Sequence, residues 1–133
     1  MRTLFITLIF SSFLFSFNAL YTKAFIAYKK GQKYLKSNPQ KAQKYFQESF
    51  LLLNQIKKDS AQKFYLLGEM YLNGWGVAQD LEEAEKMLKK AISLGNKRAY
   101  CSIAKLYIKE NKNELAQKYL KSAKNNSIAC NLN

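Results

Sequence analysis

Small and large apolar residues recur in three short blocks along the chain, at residues 42–49, 84–91 and 116–123. Every block has a small residue at its first and last positions and two large apolar or aromatic residues between them. Spacings of three, four and seven residues place these side chains on one face of a helix. A small residue at both ends of that face would let a neighbouring helix approach closely.

A second apolar pattern lies upstream of each block and ends in a tyrosine, at Tyr34, Tyr71 and Tyr107, with separations of 37 and 36 residues. A period of this length with two helical patterns per unit is typical of a helix-pair solenoid. We therefore predict an all-α fold, a short α-solenoid of about three helix-turn-helix repeats, with the three tyrosines in the core. The helices are expected near residues 20–37, 39–57, 60–73, 80–94, 97–110 and 112–125.

Polar residues mark three of the predicted helix starts. Asn38 precedes Pro39, which combines a capping side chain with a residue that needs no amide hydrogen in the first turn. Asp80 and Glu83 have the spacing of a capping box, in which each side chain accepts a backbone N–H. Residues 111–114 repeat this spacing, with Asn111 as the expected cap.

The middle unit carries the most specific signature. The residues are Ala61, Leu67, Gly68, Tyr71, Gly74, Trp75, Gly76, Val77, Asp80, Ala84, Lys90, Ala91, Gly95 and Ala99. Together they closely resemble the Sel1-like repeat, an α-solenoid family related to tetratricopeptide repeats. Two glycines in its turn permit backbone angles that are closed to other residues, so we predict positive or strained φ at both, with the following valine packed against the helix pair.

The resemblance is strong over residues 61–99 and partial on either side, which suggests a division of the chain. We predict an N-terminal signal segment, a degenerate tetratricopeptide-like helix pair, a Sel1-like repeat, a truncated Sel1-like repeat and a tail. Their expected bounds are 1–19, 20–58, 59–95, 96–125 and 126–133.

The N-terminal segment differs from the rest of the chain. Met1 and Arg2 are followed by eighteen residues without a charge, rich in phenylalanine, leucine and isoleucine. Such a segment is typical of a secretory signal peptide, here with cleavage after Ala19, and it predicts a periplasmic or secreted protein. Two alternatives stay open: an uncleaved inner-membrane anchor, which the lysines after the segment favour, and a buried first helix of a cytosolic protein.

The chain contains no histidine and only two cysteines, which excludes His-based catalytic triads and four-Cys metal sites. Ser60 with Lys63, and Ser102 with Lys105, match the Ser-x-x-Lys pattern of penicillin-recognising enzymes. Exported, cysteine-rich Helicobacter members of the Sel1-like family carry β-lactamase labels, so the resemblance makes this activity the competing function. The companion motifs are missing from the sequence, and we predict no catalytic residue, no metal and no cofactor.

The formal net charge is +13, and residues 20–47 contain seven lysines and no acid. A basic surface suits an acidic protein, an anionic lipid surface or a nucleic acid. Arginine is almost absent and no base-reading motif occurs, so we expect no nucleic-acid partner. The resemblance implies a protein-interaction module that binds a protein or peptide, with an acidic partner expected. A membrane is a partner only if the N-terminal segment stays uncleaved.

Aromatic residues outside the recurring apolar pattern of the repeats are the best candidates for partner contact, since tyrosine and tryptophan are favoured in interfaces. They are Tyr65, Trp75 and Tyr100, to which we add the basic residues Lys30 and Lys33.

The two cysteines, Cys101 and Cys130, are predicted to form a disulfide. Export would place them in an oxidising compartment, and a helix pair returns the chain to the end of the stack from which it started. The alternative is one buried thiol at Cys101 and one thiol in a frayed tail.

Overall fold

The computed structural model describes residues 19–132, which contain helices and no strand. The chain divides into two compact units, the first ending at Lys58 and the second beginning at Asp59. All the predicted helices are present in the described residues, with ends that differ from the predicted ones by a few positions. They are α1 (19–34), α2 (Pro39–Gln55), α3 (Ala61–Asn73), α4 (Leu81–Ser93), α5 (Ala99–Lys109) and α6 (Asn113–Asn125).

Two of the predicted caps begin their helices as expected. The side chain of Asn38 accepts a hydrogen bond from the Lys41 backbone N–H at 3.0 Å, and Pro39 occupies the first turn of α2. The side chain of Asp80 accepts from the Glu83 backbone N–H, also at 3.0 Å. Each cap satisfies one of the backbone donors that a helix start leaves unpaired.

The structure contradicts the other two expected capping bonds. The Asp80 backbone N–H donates to the Tyr71 carbonyl at 3.0 Å, so it is not the donor that Glu83 was expected to satisfy. Asn111 has a left-handed φ of 58° and donates its N–H back to the end of α5. Helix α6 then begins at Asn113 without a side-chain cap, because Asn111 closes the preceding helix instead of opening the next one.

In the first unit, α1 and α2 pack through small residues. The Ser49 hydroxyl, fully buried on α2, donates to the Ala24 carbonyl of α1 at 2.8 Å. A Cβ added at Gly31 would lie 2.6 Å from the ring of Phe46, so the missing side chain makes room for that ring. The close approach predicted from the small residues of the first block is therefore present.

In the second unit, α3 packs on α4 and α5 packs on α6, and α5 also contacts both α3 and α4. Leu72, Leu88, Ile103 and Leu106 lie at the centre of the resulting core. The small residues that begin and end the second and third blocks are at most 2% exposed, which confirms their predicted place at helix contacts: Ala84, Ala91, Ala116 and Ala123.

The glycine turn between α3 and α4 has the predicted backbone angles. Gly74 has φ 68° and ends α3, and Gly76 has φ 72°. Val77 is half-buried in the same turn. Gly95 follows α4 with φ 99°. Residues with a side chain are strained at these angles, which explains three of the five glycines in the chain.

The three repeat tyrosines are not equivalent. Tyr107 is 4% exposed, as the prediction of core packing requires, whereas Tyr34 and Tyr71 are only half-buried. Tyr34 stacks on Tyr45, with ring centroids 5.8 Å apart, and has the Lys41 ammonium 4.0 Å from its ring centroid. It belongs to a surface cluster, and the core expectation for it was wrong.

The predicted signal segment, residues 1–19, lies outside the described residues except for Ala19. Within the described range 19–132, no helix combines the length and apolar character that crossing a membrane requires.

Candidate binding pocket

A pocket of about 330 Å³ lies between α3, α5 and the tail that follows α6. Tyr65 and Glu69 are four residues apart on α3, so they share one helix face. Ser102 and Lys105 are three residues apart on α5, and Arg98 lies just before that helix, again on one side. The two helix faces meet at the pocket, and residues from 127 to 131 form its remaining wall.

A hydrogen-bonded network forms the pocket floor. Ser102 is buried, and its hydroxyl donates to the Glu69 carboxylate and is also hydrogen-bonded to the Tyr65 hydroxyl. Burial raises the pKa of Glu69, although the Ser102 hydrogen bond and the charge of Lys105 act in the opposite direction. Burial and the nearby Glu69 charge raise the pKa of Tyr65. The charged form of the Glu69 carboxyl is therefore less favourable in this network than in water.

Two cations complete the pocket. Neither the Arg98 guanidinium nor the Lys105 ammonium has a carboxylate within 4.0 Å among residues 19–132. Other basic residues of the second unit do form such pairs, for example Lys86 with Glu83 at 3.0 Å. The pocket thus combines two cations outside close ion pairs with one internally hydrogen-bonded carboxyl.

A disulfide holds the tail wall in place. Cys101 lies in the first turn of α5 and is bonded to Cys130, with their Cα atoms 5.3 Å apart. The pairing predicted from the sequence is confirmed, and Cys101 itself lines the pocket. The Ile128 N–H donates to the Ala123 carbonyl at 2.9 Å, which turns the chain at the end of α6 back toward α5.

Of the predicted partner contacts, the structure places only Tyr65 in this pocket. Trp75 is half-buried in the glycine turn, and its backbone N–H donates to the Met70 carbonyl of α3 at 2.9 Å. Tyr100 packs near Tyr119, with ring centroids 6.3 Å apart. Lys30 and Lys33 belong to the first unit, where both are exposed and lie over tyrosine rings.

The two Ser-x-x-Lys pairs have structural roles. The Ser60 hydroxyl caps α3 by accepting from the Lys63 backbone N–H at 3.1 Å, and the Lys63 ammonium lies 3.8 Å from the Asp59 carboxylate. The Ser102 hydroxyl donates to Glu69 in the pocket floor. In both pairs the serine is engaged in a bond that supports the fold.

A second polar cluster ties α4 to α5. The Tyr107 hydroxyl donates to the Glu85 carboxylate at 2.7 Å, and Lys89 pairs with the same carboxylate. Burial acts to raise the pKa of Glu85, but the hydrogen bonds from Lys89 and Tyr107 lower it. Burial and then the Glu85 hydrogen bond raise the pKa of Tyr107. The polar tip of a buried tyrosine is thereby satisfied, so we assign this cluster to stability.

Sequence reasoning missed Glu69 and Arg98 as site residues and found Lys105 only through the serine motif. The available signal was spacing: residues 65 and 69 lie on one face of a helix, and so do 98, 102 and 105. In a chain predicted to stack its helix pairs, the polar side chains on those two helix faces would be expected to lie close together.

The structure contains recurring helix pairs, with small residues at their contacts and a glycine turn at positive φ. These features define the class of protein, a short α-solenoid. Within that class, the Sel1 repeat family model matches residues 21–51 and 65–96, one stretch in each unit. The chain belongs to the Sel1-like repeat family. A search of the curated proteins and a search of the solved structures found no match to the chain.

Proposed function

We propose that this protein is an exported interaction module of the bacterial cell envelope, with the pocket between α3 and α5 as its principal binding site. Sel1 repeats are generally protein–protein interaction modules. The observation that carries the proposal is the pair of cations at a pocket formed by two successive helix pairs. A partner's side chain or chain end can enter such a pocket while the rest of the partner lies along the helices.

Export is supported by two independent features. The uncharged apolar segment at the N-terminus has the composition of a signal peptide. The Cys101–Cys130 disulfide requires an oxidising environment, which in bacteria is found outside the cytoplasm. We place the protein in the periplasm on these grounds, with an inner-membrane anchor as the alternative.

An acidic partner fits the surface charge. All seven lysines between residues 20 and 47 are exposed, and no acid lies among them. Such a surface attracts acidic proteins over a distance of about a Debye length, roughly 8–10 Å at physiological salt.

Two measurements test the proposal. Mass spectrometry of the protein from fractionated cells should find it in the envelope fraction with an N-terminus near Leu20. Formaldehyde crosslinking in intact cells, followed by affinity capture, should enrich an envelope protein that binds again when both proteins are purified. A cytosolic protein that retains Met1, or captured proteins that fail to rebind, would contradict the proposal.

A second candidate, binding to an anionic lipid surface, is favoured by one observation. Lys23, Ile26, Lys30 and Lys33 lie on one exposed face of α1, so an apolar side chain stands among three cations. That combination suits a headgroup layer. Sedimentation with vesicles of phosphatidylglycerol should retain the protein at low salt and release it at high salt, whereas an absence of binding at low salt would reject this candidate.

The enzymatic alternative has less support, because Ser60 is a helix cap and Ser102 is hydrogen-bonded in the pocket floor. A nitrocefin assay on the purified protein tests whether it hydrolyses a β-lactam. Turnover that Ser60→Ala or Ser102→Ala abolishes would overturn the interaction proposal in favour of a β-lactamase-like activity.

A further inference from the structure

Two cations of the α3–α5 pocket share one concave site without a close carboxylate partner among the described residues. Arg98 and Lys105 line the pocket, and neither lies within 4.0 Å of a carboxylate in the part of the chain that the structure describes. Lys63, Lys89 and Lys112 of this unit each have such a carboxylate. Exposed lysines such as Lys97 and Lys121 have none among residues 19–132, so the distinguishing feature of Arg98 and Lys105 is that they line one pocket. Holding two cations at one concave site has an electrostatic cost, which an anionic ligand would reverse.

Of the described residues that line the pocket, only Glu69 carries a carboxyl group, and it cannot neutralise two cations. Glu69 accepts the Ser102 hydroxyl, and burial raises its pKa, so its charge is disfavoured where it lies. With Glu69 ionised the three side chains carry a net charge of about +1, and with Glu69 protonated about +2. A ligand with one negative charge is attracted by the pocket in either protonation state of Glu69. A dianionic phosphate would be repelled by Glu69 whenever that carboxyl is ionised.

The size of the pocket limits the ligand further. About 330 Å³ lies at the lower end of the range for small-molecule sites. That volume accommodates a carboxylate with one or two residues attached to it. Tyr65 supplies an aromatic wall, and Arg98 can bind a carboxylate through two parallel N–H donors.

We propose that this pocket binds a carboxylate group of the partner protein, with Arg98 and Lys105 as the counter-charges and Tyr65 as the packing surface. The group is either the partner's C-terminal carboxylate or an aspartate or glutamate side chain. The inference rests on the proposed interaction function and names the chemistry that its main site recognises.

Small probes separate the two sources of carboxylate. N-acetyl-alanyl-alanine carries only a terminal carboxylate, N-acetyl-aspartyl methylamide carries only a side-chain carboxylate, and N-acetyl-alanyl-alanine amide carries none. Each is titrated into the isotope-labelled, disulfide-intact protein, and the backbone amide shifts of the pocket residues are followed by NMR. Inorganic phosphate is titrated in parallel as a different anion.

The charge-matched pair of variants is R98Q/K105Q and K97Q/K121Q. Both remove two positive charges, but Lys97 and Lys121 are exposed and do not line the pocket. We expect at least one carboxylate probe to bind in the millimolar range, at least tenfold more tightly than the amide. R98Q/K105Q should weaken that binding tenfold or more, and K97Q/K121Q by less than twofold, with unchanged circular dichroism in both. Tighter binding of the dipeptide acid points to a chain end, and tighter binding of the aspartyl probe points to a side chain.

Four results would overturn the inference, and three of them come from the titrations: no shift at the pocket residues with either carboxylate probe, equal loss in the two double variants, or tighter binding of phosphate than of both carboxylates. If R98Q/K105Q folds with its wild-type spectrum but still captures the cellular partner, the partner binds elsewhere. The interaction function would then stand while the carboxylate pocket falls.

Discussion

The contact between α3 and α4 makes a quantitative prediction for Gly68→Ala. A Cβ at this position would lie 2.6 Å from Leu88 Cγ and 2.7 Å from its Cδ2. Carbon atoms in contact are normally about 3.5–4.0 Å apart, so the overlap is about 1 Å. Leu88 is fully buried, so its side chain cannot move aside into solvent. Overpacking of this kind costs about 1–3 kcal/mol, and the better helix propensity of alanine returns up to about 1 kcal/mol.

We therefore expect Gly68→Ala to lower the free energy of unfolding by about 1–2 kcal/mol. The assay is urea denaturation followed by the fluorescence of Trp75, the single tryptophan, which lies in the turn between these helices. Leu88→Ala supplies the control, because it removes the clashing atoms. In the Leu88→Ala background the glycine substitution should become neutral or stabilising. An equal loss of stability in both backgrounds would refute the steric argument.

Three further predictions concern the turn, the tail and the pocket. Gly76→Val should cost about 1–3 kcal/mol, because a β-branched residue is strained at φ 72°, and an unchanged melting temperature would contradict the turn geometry. Reduction of Cys101–Cys130, which closes a 29-residue separation, should lower stability by about 3–4 kcal/mol on the chain-entropy model. Calorimetry with and without reductant checks this, and equal melting temperatures would contradict it. Because burial raises the pKa of Glu69 above its usual 4.5, the unfolded state loses this proton first as the pH rises. The stability of wild type relative to Glu69→Gln should therefore fall from pH 4.5 upward until the raised folded pKa is passed, and a pH-independent difference would contradict it.

The helix-pair architecture could be predicted because its determinants are local. The small residues of the three blocks recur with helical spacing, and all six are buried where helices meet. The positive φ of Gly74 and Gly76 follows from residue type, since few other residues tolerate those angles. The Cys101–Cys130 pairing followed from the topology of a helix pair and from the even cysteine count.

The errors occurred where two local rules compete. Asparagine is a favourable N-cap residue, but it also tolerates the left-handed conformation. Asn111 adopts that conformation and ends α5 instead of beginning α6. Glu83 has the capping-box spacing, but the Asp80 N–H finds the Tyr71 carbonyl across the turn. Tyr34 occupies the same repeat position as Tyr107, yet it packs on Tyr45 at the surface.

The pocket could not be predicted, because its walls come from three distant parts of the chain. Tyr65 and Glu69 lie more than thirty residues from Ser102, and the tail wall depends on where the chain turns after α6. Glu69 gives no sign in the sequence of being buried. Its raised pKa results from the packing of α5 over it, which only the folded arrangement reveals.

The central claim is that the α3–α5 pocket is where the partner binds, and site-specific photo-crosslinking in intact cells tests it most directly. A photoreactive phenylalanine derivative replaces Tyr65, which lines the pocket, or Lys121, which is exposed on α6 and does not. We predict one dominant adduct from the Tyr65 position, containing the protein that formaldehyde capture enriches, and no such adduct from the Lys121 position. The same adduct from both positions, or its appearance from Lys121 alone, would contradict the claim.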